Sequence, residues 1–90
     1  MSIPQIENFT SSRGNKVPNQ FRVITNEGSY FKSYETMIAA KLNNGKILLD
    51  KDNWNYSSTT ATYRNQFLGL TTKETQQQIE DGTIELTNLN

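Results

Sequence analysis

The sequence predicts an α+β fold: an antiparallel sheet of two β-hairpins plus a C-terminal strand, with one or two short helices packed on it. Three observations carry this. Asn44-Gly45, between two apolar runs, is the strongest two-residue hairpin signal a sequence offers. Asn26-Glu27-Gly28 separates two runs rich in aromatic and β-branched residues. Tyr63, Phe67 and Leu70 fall at i, i+4 and i+7, one stripe of a helix, and Thr71-Thr72-Lys73-Glu74 then reads as a capping box opening a second.

Taken in order, residues 1–19 read as a loop-rich N-terminal arm, because Ser11, Ser12, Gly14, Asn15, Pro18 and Asn19 are turn formers. Ile3, Ile6 and Phe9 are its expected anchors. Residues 20–50 read as the two hairpins. In the first, residues 21–26 and 29–34 flank the turn, and Gly28 supplies a positive φ. With Asn26-Glu27-Gly28 as the loop, Arg22 is expected opposite Lys32 and Ile24 opposite Tyr30. In the second, with Asn44-Gly45 as the two loop residues, Leu42 is expected opposite Ile47 and Ala40 opposite Leu49. Residues 57–82 read as helices. Ser57 or Ser58 is the N-cap of the first and Gly69 ends it; Gly82 stands just past the second. Residues 83–89 read as an edge strand.

The composition limits the chemistry. Leu, Ile, Val and Phe make 20 of 90 residues, just above the level at which disorder becomes the default. The polar excess is uncharged Asn, Thr, Ser and Gln, so charge repulsion does not drive the chain open. Residues 1–90 are expected to form a single domain, small enough for a homo-oligomer or a partner to complete its core. Without His there is no ready general base near neutral pH, and without Cys no disulfide or thiolate metal site. Ser29-Tyr30-Phe31-Lys32 matches a Ser-x-x-Lys pattern, but on a strand positions i and i+3 point to opposite faces. Asp50-Lys51-Asp52-Asn53 resembles part of a calcium loop that lacks its glycine and terminal glutamate. No enzyme, cofactor or metal is therefore expected. The first residues have no basic-apolar leader pattern and the longest apolar run, 37–40, is too short for a membrane, so a cytoplasmic location is expected.

Two binding readings remain. In the first, Trp54, Tyr56, Thr59, Thr60 and Arg64 form a partner-binding surface where the first helix begins. Trp, Tyr and Arg are the residues enriched at binding hot spots, and helix N-termini hold anions. In the second, Arg22, Lys32, Tyr30 and Tyr34 form a cationic, aromatic face for single-stranded nucleic acid. Residues 1–64 carry a net charge of +3 and residues 65–90 a net −3, a mildly basic body with an acidic tail.

The run Ser33-Tyr34-x-Thr36-x-Ile38-Ala39, followed after a short hairpin by Tyr56-Ser57-x-Thr59-Thr60-x-x-Tyr63-x-x-x-Phe67-Leu68, resembles a family of small uncharacterised bacteriophage proteins over about residues 20–70. Where relatives carry His, this chain has Tyr63. The resemblance implies a phage or prophage origin and action in the cytoplasm of an infected bacterium. Proteins of this kind often bind and block a host or defence protein, CRISPR effectors included. The expected function is accordingly a non-enzymatic protein-binding module, an inhibitor of a host or defence protein of the anti-CRISPR kind, with a single-stranded nucleic-acid-binding accessory protein as the alternative.

Overall fold

Period-two patterning and turn chemistry produce five consecutive strands before the first helix in the computed structural model, which describes residues 5–90. The strands are β1 (Gln5–Thr10), β2 (Lys16–Ile24), β3 (Gly28–Ser33), β4 (Thr36–Leu42) and β5 (Ile47–Asp50). Helices α1 (Ser58–Leu68) and α2 (Thr72–Glu80) and a last strand β6 (Ile84–Thr87) follow. Together they make a small α+β domain with a six-stranded sheet in the order β1-β2-β3-β4-β5-β6. Every neighbouring pair is antiparallel except β5 and β6. That pair is parallel because both helices lie between the two strands, and a parallel neighbour needs such a crossover. The sheet is thus mixed where a purely antiparallel one was expected. Among the described residues, no helix is long and apolar enough to cross a membrane.

The N-terminal arm is corrected. Residues 5–10 and 16–19 are strand, not loop, and the Ser11–Asn15 turn joins them as a third hairpin. Ser11 Oγ organises this turn by accepting from Asn15 N–H at 3.2 Å, and the Asn15 carbonyl accepts from Ser11 N–H at 2.8 Å. Phe9 anchors the arm in the core, Ile6 is 67 % exposed and does not, and Ile3 lies outside the described residues.

Both expected hairpin registers are off by one residue. The β2–β3 loop is Asn26-Glu27 alone: Thr25 N–H donates to Gly28 O at 2.8 Å and Ile24 pairs with Ser29. Arg22 therefore opposes Phe31, and Tyr30 opposes Val23. The β4–β5 loop is one residue longer than expected, Asn43-Asn44-Gly45. Leu42 N–H donates to Lys46 O at 2.9 Å across it, so Ala39 pairs with Leu49 and Lys41 with Ile47. A type I turn plus a left-handed glycine builds such a three-residue loop, and Gly45 has φ 89°.

These registers decide what faces the core, since directly opposed residues share a sheet face. Phe9, Phe31, Ala39, Leu49 and Ile84 are buried together beneath Phe67 and Leu68 of α1, with Ile79 of α2 packed alongside. Phe9 and Phe31 meet edge to face with centroids 5.3 Å apart. A bulge in β4 at Ile38 lets Ile38 and Ala39, neighbours in sequence, both enter this core. The opposite face carries a row running Ile6, Val23, Tyr30, Ala40 and Leu48 across five strands, with Phe21, Lys32 and Met37 in the next row. Apart from Ala40, the apolar members of these rows are half-buried or exposed, and none packs against the core cluster.

The capping signals hold, but the expected stripe is cut short: Leu70 lies beyond the end of α1 and packs on the core from the turn that follows. Ser57 is the N-cap of α1 and its hydroxyl accepts from Thr60 N–H at 3.1 Å. Gly69, at φ 72°, closes the helix. Thr71 and Glu74 form the reciprocal capping box of α2, and Gly82 follows its C-cap Asp81.

Candidate functional site

The segment between β5 and α1 is a loop held at both ends. At its start, Asp50 is buried and its carboxylate accepts from Asn53 Nδ2 at 2.7 Å, Leu89 N–H at 2.9 Å and Asp52 N–H at 3.3 Å. Burial raises the Asp50 pKa, but these donors, with the Asn90 side chain, outweigh it and hold the carboxyl below its ordinary 3.8. A folded-state pKa below the unfolded one adds stability that is complete above the unfolded value and lost as pH falls through the folded one. Melting temperature is therefore expected to be flat near neutral pH and to drop below about pH 4. Asp50→Asn is expected to be less stable near neutral pH and to show a shallower acid slope. Equal slopes for the two proteins would show that another group controls the acid limb.

At the far end, Arg64 reaches back from α1 and is fully buried, with a solvent exposure of 0 %. Its Nη1 donates to the Trp54 carbonyl at 2.6 Å and to Asn55 Oδ1 at 3.1 Å. Its Nη2 donates to Asn65 Oδ1 and Thr72 Oγ1, both at 2.9 Å. The guanidinium also lies 5.1 Å from the centroid of Trp54. All these acceptors are neutral, so burial lowers the arginine pKa, though from a value so high that the group stays charged. A planar fork with several donors is the side chain suited to bridging four acceptors on three segments at once.

Thr60 is also buried. Its hydroxyl accepts from Ser57 Oγ at 2.9 Å and lies 3.4 Å from Ser33 Oγ of β3, tying the first turn of α1 to the sheet. The five residues expected to bind a partner thus separate. Arg64 and Thr60 are interior, which corrects their expected place on the surface. Trp54 is half-buried against the core. Tyr56 is 55 % exposed, and Thr59 is exposed beside it with Ser58. No sequence signal marks Asn55, Asn65 and Thr72 as partners of Arg64, because they are neutral and follow no common spacing.

The nucleic-acid set separates too. Tyr30 and Lys32 lie on the uncovered sheet face, and Tyr34 stands exposed in the β3–β4 turn with φ 55°. Arg22 is on the helix-bearing face. It is paired with Glu7 at 3.2 Å and lies 4.8 Å from the centroid of Phe9. The expected Arg22–Lys32 juxtaposition does not occur. A cleft of about 390 Å³ between the β1–β2 turn and α1 is lined by Thr10, Ser11, Ser12, Thr62, Tyr63 and Gln66. Among the described residues there is no cluster of acidic side chains that could hold a metal ion.

Comparison with known proteins places the chain in a family without assigning it an activity. Residues 4–82 match the model of a family of unknown function, DUF8033, and the chain belongs to that family. Neither curated proteins nor solved structures give a match.

Proposed function

We propose that this DUF8033 protein is a non-catalytic protein-binding module that engages its partner through Tyr56 and the exposed hydroxyls of the first turn of α1. The observation that carries the reading is the Arg64 clamp. It fixes the loop from inside, by way of the Trp54 carbonyl and Asn55, and so presents Tyr56 outward from a backbone already ordered. Ordering a rotamer-rich side chain on binding costs about 0.5–1.5 kcal/mol, and a loop held in advance avoids further losses of that kind. Tyrosine adds large contact area and a hydroxyl, the pairing that marks hot spots. The resemblance to small phage proteins supports a host or defence protein of an infected bacterium as the partner, blocked by the bound module in its cytoplasm. A nucleic-acid partner has less support, because Arg22 is held by Glu7 and Phe9.

The tagged chain used as bait in bacterial lysate, with and without nuclease, tests this. A defined protein should be retained after nuclease treatment. With that protein purified, Tyr56→Ala is expected to weaken binding by about thirtyfold, the effect of a 2 kcal/mol hot spot. The thermal melt should be unchanged, since Tyr56 is exposed and outside the core. Capture that disappears with nuclease, or a Tyr56→Ala chain that binds as tightly as wild type, refutes the reading.

A further inference from the structure

We infer that the uncovered face of the sheet is the interface of a symmetric homodimer, with a second copy of this chain as its occupant. The inference goes beyond the Tyr56 reading and rests on a different surface. Both helices pack on one side of the sheet, while the other presents Ile6, Phe21, Val23, Tyr30, Met37 and Leu48 on five adjacent strands. An antiparallel sheet open to water on one face normally shows polar side chains there. Here the central row is apolar from β1 to β5.

Area, charge and symmetry together select a second copy. The domain is a slab of 34 × 33 × 20 Å. Taken as an ellipse, the whole broad side projects roughly 900 Å², so a standard interface of about 800 Å² per partner would occupy nearly all of it. Among the described residues the face carries little open charge: Glu85, at its β6 edge, is paired with Lys46 at 3.4 Å, Asp50 is buried under its hydrogen-bond donors at the end of β5, and Lys32 is left. The chain has a formal net charge of zero, so no long-range repulsion opposes self-association. A two-fold axis lying in the interface sets each apolar row over the same rows of its mate, the self-complementarity that an isologous dimer requires. Two sheets then stack about 10 Å apart as a sandwich, with the helices outside. Each Tyr56 would remain free, and the dimer would present two copies of the proposed partner site.

Light scattering and sedimentation equilibrium on the full chain read the outcome directly. The expected mass is twice the 10.3 kDa of one chain, returning to monomer on dilution. Val23→Glu, in the middle of the face, is expected to give a monomer. Ile6→Glu sits at an exposed edge-strand position where a charge is compatible with the folded monomer. It is expected to weaken the dimer at least tenfold, and so keeps the test decisive if Val23→Glu does not fold. Tyr56→Ala, on the opposite layer, should leave the mass unchanged. A wild-type chain that stays monomeric at every concentration overturns the inference. So does a dimer indifferent to both charged substitutions, or a monomer that binds a labelled single-stranded oligonucleotide and loses it on Tyr30→Ala. None of these results bears on Tyr56 capture, which is scored by partner affinity and not by mass.

Discussion

Arg64→Ala is expected to lower the unfolding free energy by about 2–4 kcal/mol, because charge-assisted hydrogen bonds are lost and a fully buried side chain leaves a void. A 90-residue domain has on the order of 5–13 kcal/mol in total, so the variant should be only marginally folded at 25 °C. Beyond the void, the loss has two sources. The Trp54 carbonyl, Asn55, Asn65 and Thr72 lose their common donor, a cost of about 0.5–1.5 kcal/mol per bond, and water can replace it only at the exposed Asn55 and Thr72. Trp54 also loses the cation over its ring. Arg64→Lys is expected to recover less than half, because an ammonium is a point donor and cannot span four acceptors on three segments. Urea unfolding monitored by Trp54 fluorescence measures both variants. A wild-type midpoint in Arg64→Ala would mean that the clamp does not stabilise the fold. In the folded fraction, amide exchange of residues 54–57 should rise, the signature of a loop released from its anchor.

Gly28→Ala is the second large effect, expected to cost about 3 kcal/mol or more, as overpacking and left-handed strain add. Gly28 has φ 152°, and a methyl group there would meet the Lys41 carbonyl oxygen inside van der Waals contact and lie 2.8 Å from Leu42 Cα. Both obstacles are backbone of the neighbouring strand, which cannot rotate aside. The sheet would have to open between β3 and β4, its centre. Gly45→Ala is the informative control. Its φ of 89° is also unfavourable for alanine, but nothing lies within 4 Å of the added carbon. It is expected to cost about 1 kcal/mol. Comparable denaturation midpoints for the two variants would show that conformation, not space, fixes glycine at 28.

The contrast between these two glycines shows what could be read in advance. At Gly45 the residue type alone identifies a turn, and the turn is there. At Gly28 the sequence suggests the same explanation, yet the residue lies on a strand where β4 passes too close for any side chain. Turn signals locate hairpins well, but they do not count loop residues. The first loop is one residue shorter than expected and the second one longer. Side chains alternate with period two, so a slip of one residue reassigns every facing pair. That is why Arg22 faces Phe31 and not Lys32. The first strand is not legible in the sequence because its polar residues and the Ser11–Asn15 turn resemble an arm, and because one face of the sheet is uncovered, which blurs the usual alternation of buried and exposed.

The sequence by itself determined the α+β class, the hairpin between β2 and β3 and that between β4 and β5, and both helices with their caps. Each of these rests on groups within four or five residues of one another, where backbone geometry and a single side chain settle the matter. Tertiary structure alone decided the fate of Arg64. Its hydrogen-bonding partners lie one, eight, nine and ten residues away, all neutral, and only the folded chain brings them around one guanidinium. The arginine expected on the surface is thereby buried, and Tyr56 is left exposed on the loop that it holds. The same packing put both helices on one face of the sheet. The apolar rows on the other face are therefore uncovered, a consequence of strand register and crossover that no local pattern encodes.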